Sequence, residues 1–178
     1  MRIPRWREKG YWNIPDELRS RALLLDFLKK HLNPASFCAI STATQTINRN
    51  TSTTVEFDTE VFAGTGYDTS NDTFTAPYAG KYYFHANVLW YNIATTVDYV
   101  SLAFLHNATT HIVSWNNEVA DNINTASDFT QQGSIMLELS KNDTVVVKAK
   151  YQDVAPVATE QILGHATNHY TQFFGHRI

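Results

Sequence analysis

Seven histidines give the 178-residue chain most of its chemical reach. Three of them, His165, His169 and His176, lie close together near the C-terminus, and imidazole is a common zinc ligand. On a helix His165 and His169 would share a face, but Gly164 and the Thr-bearing stretch behind it point to a loop. A metal would then need copies of one histidine brought together on the axis of an oligomer. Glu56, Asp58 and Glu60 alternate as they would along one face of a strand. General acid/base chemistry needs two carboxyls in one pocket with separated pKa values, whereas an open strand offers only a solvated acidic face. Cys38, the single cysteine, follows Phe37 in an apolar run and reads as a small buried side chain. Alone, it also excludes an intramolecular disulfide framework. No nucleophile elbow surrounds any serine, and no Gly-rich phosphate loop is present. The sequence therefore assigns no catalytic residue, no metal ligand and no cofactor, and the expectation is a protein that is not an enzyme.

Two regions of opposite charge carry these residues. Residues 1–33 hold eight Lys/Arg and four Asp/Glu, whereas residues 34–178 hold six and thirteen, so a +4 segment precedes a −7 body. In residues 1–13, Arg2, Arg5, Arg7 and Lys9 are interleaved with Ile3, Trp6, Tyr11 and Trp12 without a helical or strand period, which predicts an extended arm. Pro15, Asp16 and Glu17 suit the first turn of a helix. Leu18, Ala22, Leu25, Leu28 and Leu32 then recur on one helical face, and Asn33-Pro34 ends the run. A helix of this length is marginal alone. Either its stripe packs on the chain's own domain or copies of it, or arm and helix dock together on a larger protein. In the second case Arg5, Trp6, Arg7, Trp12, Leu18, Leu25 and Leu28 are the anchors, since Trp and Arg dominate binding hot spots. The arm's charge is too small to predict nucleic-acid binding.

Hydrophobic residues make up 43% of the chain, enough for a core, yet no apolar run nears the about 18 residues of a membrane helix. No membrane insertion is expected. The start lacks the run of roughly 7–15 apolar residues of a secretory signal, so cytoplasmic synthesis is the default, with assembly into a virion compatible with it. Four Asn-x-Ser/Thr sites, at Asn50, Asn71, Asn107 and Asn142, are what so Asn- and Thr-rich a chain produces by chance.

From Ser36 onward, short runs rich in Val, Ile, Thr, Tyr and Phe alternate with Gly, Asn, Asp and Pro. The clearest are Phe37–Thr42, Thr53–Phe57, Lys81–Asn92, Val97–His106, His111–Trp115, Gly133–Leu139, Thr144–Tyr151 and Tyr170–Ile178. They predict an all-β antiparallel sandwich or jelly roll. In Lys81–Asn92, Tyr82, Phe84, Ala86, Val88 and Trp90 share one face, and Tyr83, His85, Asn87, Leu89 and Tyr91 the other. Both faces carry aromatics, and no charge follows Lys81. One face can fill the sandwich. The second is a patch that monomers seldom expose, so it is covered either by the N-terminal helix or by further copies of the chain. Tyr83, Leu89, Tyr91 and Phe173 are the expected contact residues of such an oligomer.

The order of these runs resembles a known family. Val55-Glu-Phe57, Gly66-Tyr-Asp-Thr69, Phe74-Thr-Ala-Pro77, Ala79-Gly80 and Lys81-Tyr-Tyr-Phe84 are similar to the central signature of the complement C1q globular head, a branch of the tumour-necrosis-factor-like jelly rolls. Phe37-Cys-Ala39 resembles the opening strand, Ser101-Leu102 with Asn107 the middle hairpin, and Gly133 through Leu137 to Leu139 a late strand. Asn142-Asp143 with Val145 and Val147 resembles the following turn and strand, and Thr171-Gln-Phe-Phe-Gly175 the closing strand. The resemblance covers residues 36–178. It implies a C1q/TNF-like jelly roll of about ten strands, a homotrimer, and no catalysis. It departs from the family in having an arm and helix instead of a Gly-x-y stalk, in ending on His176-Arg177-Ile178, and in lacking a matching acidic calcium cluster. The expected function is a trimeric structural or adhesive head. It is fixed through residues 1–33 to a larger protein assembly, a bacteriophage capsid or tail, as a decoration, cement or fibre-knob protein, with a surface glycan or protein as ligand at the loop end. The alternative is a secreted, extracellular recognition protein of the same fold.

Overall fold

A computed structural model of the chain describes residues 35–62, 64–94, 97–118, 127–153 and 160–178. The arm expected over residues 1–13 and the helix over 14–33, with all seven anchor residues, lie outside the described residues.

Thirteen strands and no helix make up the described part. The first sheet contains β1 (Ser36–Ile40), β2 (Gln45–Ile47), β4 (Thr59–Phe62), β7 (Gly80–Ile93), β10 (Ser127–Leu139), β12 (Glu160–Ile162) and β13 (Gln172–Arg177). The second contains β3 (Thr53–Thr54), β5 (Tyr67–Asp68), β6 (Thr73–Thr75), β8 (Val97–His106), β9 (Thr110–Glu118) and β11 (Thr144–Asp153). Every pairing is antiparallel. This is the expected all-β sandwich, and the strands beyond ten are pieces of two to four residues.

The period-two patterning read from the sequence decides which side chains meet between the sheets. Tyr82, Phe84, Ala86, Val88 and Trp90 of β7 are fully buried, as are Val145, Val147, Ala149 and Tyr151 of β11 and Val100, Leu102 and Phe104 of β8. Phe37 stacks on Tyr67 at 4.7 Å and on Phe74 at 5.2 Å, and meets Phe173 edge-on at 4.8 Å. Gly175 is required here: a Cβ on it would lie 2.6 Å from Phe84 Cδ1 and 2.9 Å from Phe37 Cε1. Within the core Trp90 Nε1 donates to the buried Gln131 Oε1 at 3.1 Å, and Gln131 Nε2 reaches across to the Val100 carbonyl of the second sheet at 3.5 Å. An indole N–H enclosed without an acceptor would be costly.

The run expected over Thr53–Phe57 is a strand only at Thr53–Thr54. Beyond it the backbone crosses from the second sheet to the first, and side chains replace ladder partners. The Glu56 N–H donates to Gln45 Oε1 at 3.1 Å and the Phe57 N–H to Asp72 Oδ1 at 2.7 Å. The acidic alternation of Glu56, Asp58 and Glu60 is therefore not one strand face. Asp58 accepts from the Thr42 N–H and Oγ1, and Glu60 from the Gly64 N–H. These carboxylates tie down turns.

Both ends of the described body lie together. The Arg177 N–H donates to the Ala35 carbonyl at 2.8 Å, and the Ile178 N–H to the Lys81 carbonyl at 2.9 Å. The ends of β7 and β11 and the start of β10 lie at the opposite end of the sandwich.

Candidate interaction face

The long strand β7 sets the site because it forms the spine of the first sheet. On one side it pairs with β10 along nearly its whole length, and on the other with β13 and then β12. Between β12 and β13 no strand reaches Leu89. There the Thr171 hydroxyl substitutes, accepting the Leu89 N–H at 3.2 Å and donating to the Leu163 carbonyl at 2.8 Å. The strand thus stays straight across the gap and carries its outer row, Tyr83, His85, Asn87 and Leu89, without a break.

Residues directly opposite in an antiparallel ladder share a face. Register therefore places Met136, Ser134, Gln132 and Thr130 of β10 beside Tyr83, His85, Asn87 and Leu89. On the other side it places His176, Phe174 and Gln172 of β13 beside Tyr83, His85 and Asn87. Phe174 in turn faces Cys38 of β1, which faces Phe62 of β4. Met136 is 71% exposed, Phe62 50% and Tyr91 41%. The outer face thus carries aromatic and apolar side chains on five neighbouring strands, set among polar ones such as Ser134, Asn87 and Gln172.

Of the expected contact residues, Tyr83, Leu89 and Tyr91 lie on this face, and Phe173 does not. Phe173 is fully buried among Phe37, Phe57, Tyr67, Phe84 and Phe104. Its neighbour Phe174 takes the outward place, with its ring 4.9 Å from His85 and 6.4 Å from Tyr83. Two adjacent phenylalanines leave the parity of a strand open in sequence. The glycine after them decides it, because Gly175 shares the inner side of the backbone with Phe37 and Phe84.

The polar groups of this face are joined. Tyr83 Oη donates to Ser134 Oγ at 3.0 Å, and Ser134 Oγ lies 2.8 Å from His85 Nδ1. Burial holds the His85 pKa below its ordinary value and pushes the Cys38 thiol up. Cys38 is half-buried on the outer face, not sealed in the core, and a raised thiol pKa makes it a poor nucleophile.

The histidines singled out near the C-terminus do not converge. His165 Nδ1 accepts the backbone N–H groups of Thr167 and Asn168 at 3.1 and 3.2 Å, so this ring caps a turn. His169 sits in the left-handed region at φ 49°, and His176 stands on the outer face, 5.5 Å from Tyr83. Among the described residues no group of three or more His, Cys, Asp or Glu side chains could hold a metal ion. Asn107 has its amide in use as well, donating to Asp143 Oδ1 at 2.9 Å and accepting the Thr144 N–H at 2.8 Å.

One feature of the end opposite the termini was not legible in the sequence. Asp153 and Glu160, from different sheets, are both almost fully buried. Glu160 Oε1 accepts the Ala94 N–H at 3.3 Å, and the Arg49 guanidinium donates to the Asp153 carbonyl at 2.6 and 3.1 Å. Burial, opposed by that hydrogen bond and reinforced by the Asp153 charge, raises the Glu160 pKa.

The sequence model of the C1q domain matches residues 36–178. The chain belongs to the C1q-domain family. Its C1q domain is also similar in fold to solved structures of low sequence identity. The globular domain of zebrafish complement 1qA is 16% identical, with a TM-score of 0.59 over 82% of this chain and 98% of that one. Eiger TNF from S. frugiperda is 7% identical, with a TM-score of 0.62 over 82% of this chain and 93% of that one. Murine APRIL is 12% identical, with a TM-score of 0.59 over 82% of this chain and all of that one. Comparison with curated proteins gives no match.

Proposed function

We propose that this C1q domain assembles into a homotrimer through the outer face of its first sheet and serves as a non-enzymatic recognition head. The observation that carries this reading is the group of Tyr83, Leu89, Tyr91, Phe174, Met136 and Phe62 on one face of the sheet, three of them at least two-fifths exposed in the single subunit. Apolar bands of this kind mark interaction sites. A self-complementary copy is the partner that the resemblance to C1q and TNF heads implies. The end bearing Arg49, Asp153 and Glu160 is then left open to a protein or glycan ligand.

Residues 1–33 enter the domain at Ala35, where the chain also finishes, so a tether at that end leaves the opposite end free. Arg5, Trp6, Arg7, Trp12, Leu18, Leu25 and Leu28 supply the chemistry of a protein-binding anchor. The basic, tryptophan-bearing character of residues 1–33 favours fixation to a virion capsid or tail. Free secretion as an extracellular ligand is the competing placement. Deleting residues 1–33 tests the tether. The head should stay folded and trimeric but leave its particle, and a truncated chain that still occupies the particle refutes the anchor.

A further inference from the structure

Hydrogen bonds on the outer face constrain protons as well as side chains. A serine hydroxyl has one proton to give. With Tyr83 donating to Ser134, that proton is free to go to a neutral His85, whose Nδ1 lies 2.8 Å from Ser134 Oγ. The ladder partners of His85 are Ser134 and Phe174, so no carboxylate stands opposite it in either ladder. The other titratable or charged groups on this side of the sheet among the described residues are Lys81, Tyr83 and Tyr91 on its own strand, Glu138 opposite Lys81 on β10, His176 on β13 and Cys38 on β1. Glu138 is paired in register with Lys81 and lies two face positions beyond Ser134. The surroundings of His85 therefore favour the neutral ring, and a second copy laid over this face would remove what water still reaches it.

We propose that the outer face is a proton-gated interface, in which copies of the chain associate while His85 is neutral and separate when His85 takes up a proton in mildly acidic solution. The inference rests on the trimer reading above. Protonation makes Nδ1 a donor, so that Ser134 accepts from both Tyr83 and His85 and must place its own proton elsewhere. It also places a charge against Phe174 inside an apolar contact, where no group compensates it.

The sign of the effect follows from linkage. His85 in the separated subunit already sits below the ordinary 6.5, and burial between copies lowers it further. Assembly is unaffected above pH 6.5 and weakens as pH falls through the value of the separated subunit. Three copies take up as many as three protons on separation, so the dissociation constant can rise by up to about a thousandfold per pH unit inside that window.

Sedimentation of the full chain between pH 8 and pH 5 tests this, with circular dichroism to follow the fold. The expected result is a trimer at pH 8 that separates into folded subunits below pH 6.5. His85→Asn keeps an acceptor near the place of Nδ1 and cannot be protonated, so it should stay trimeric to pH 5. His176→Asn should leave the midpoint where it is. A wild-type trimer that persists to pH 5, or a His85→Asn variant with the wild-type midpoint, overturns the gate and leaves the trimer standing. A monomer at pH 8 overturns the trimer reading, and the gate with it.

Discussion

Glu160 shows how a single buried group shapes this domain. Its carboxyl is enclosed with Asp153 nearby and one backbone N–H as compensation, so the folded state disfavours its charge. A carboxyl whose folded pKa is raised costs stability at neutral pH. That cost fades as pH falls through the raised value and is gone below its ordinary 4.5. Glu160→Gln keeps the acceptor for Ala94 and removes the charge. It should raise the thermal midpoint at pH 7 by roughly 2–4 °C, the shift that about 1 kcal/mol gives a chain of this size. Melting curves at pH 7 and pH 4.5 check it: the gain should shrink at the lower pH, and an equal gain at both would show that charge is not the cause. Asp153 and Glu160 were invisible in sequence because their meeting depends on two strands of different sheets ending at the same place. Phe173 and Phe174 were ambiguous for the opposite reason, since neighbours of one type carry no parity.

Among the elements, β7 was readable because fourteen residues run without a proline or an internal glycine and with both faces apolar. Its end was not. Trp90 faces in and Tyr91 out, yet Ile93 faces in again, because Asn92 adopts φ 53° in a bulge and gives its N–H to Asp128 Oδ1 at 2.7 Å. The ladder with β10 shifts register there. Asn92→Gly should change stability by no more than about 0.5 kcal/mol, because glycine adopts this conformation freely. Asn92→Val should cost about 1–2 kcal/mol, because a β-branched residue resists positive φ. Urea denaturation of both variants measures the difference, and equal stabilities would mean that the bulge does not hold Asn92 in this conformation. The expected strand over Thr53–Phe57 stops at Thr54, because the Glu56 and Phe57 N–H groups go to Gln45 and Asp72 side chains although the alternation of residue types continues. Hydrophobic periodicity records ladder strands and is silent about such substitutes.

Across the whole described body, the decisive property is that both faces of the first sheet carry large aromatic and apolar side chains. The inner one is used up by the sandwich. The outer one carries Met136, Tyr91 and Phe62 into solvent together with the half-buried His85, which no carboxylate faces in either ladder. Both chain ends of the body lie at one end of the sandwich, so association through the outer face of the sheet leaves either end of the sandwich uncovered. This was legible in outline from Lys81–Asn92 alone, whereas the contributions of Ser134, Met136 and Phe174 depended on register that only the folded sheet provides.

The molar mass of the full chain at pH 8, measured by light scattering beside its Met136→Arg variant, tests the trimer most directly. Met136 is exposed in the subunit, so the substitution should cost the fold no more than about 0.5 kcal/mol while placing a charge in the middle of the contact. Three subunit masses for the wild type and one for a normally folded variant is the predicted result. A single subunit mass for the wild type would contradict the assignment of this face.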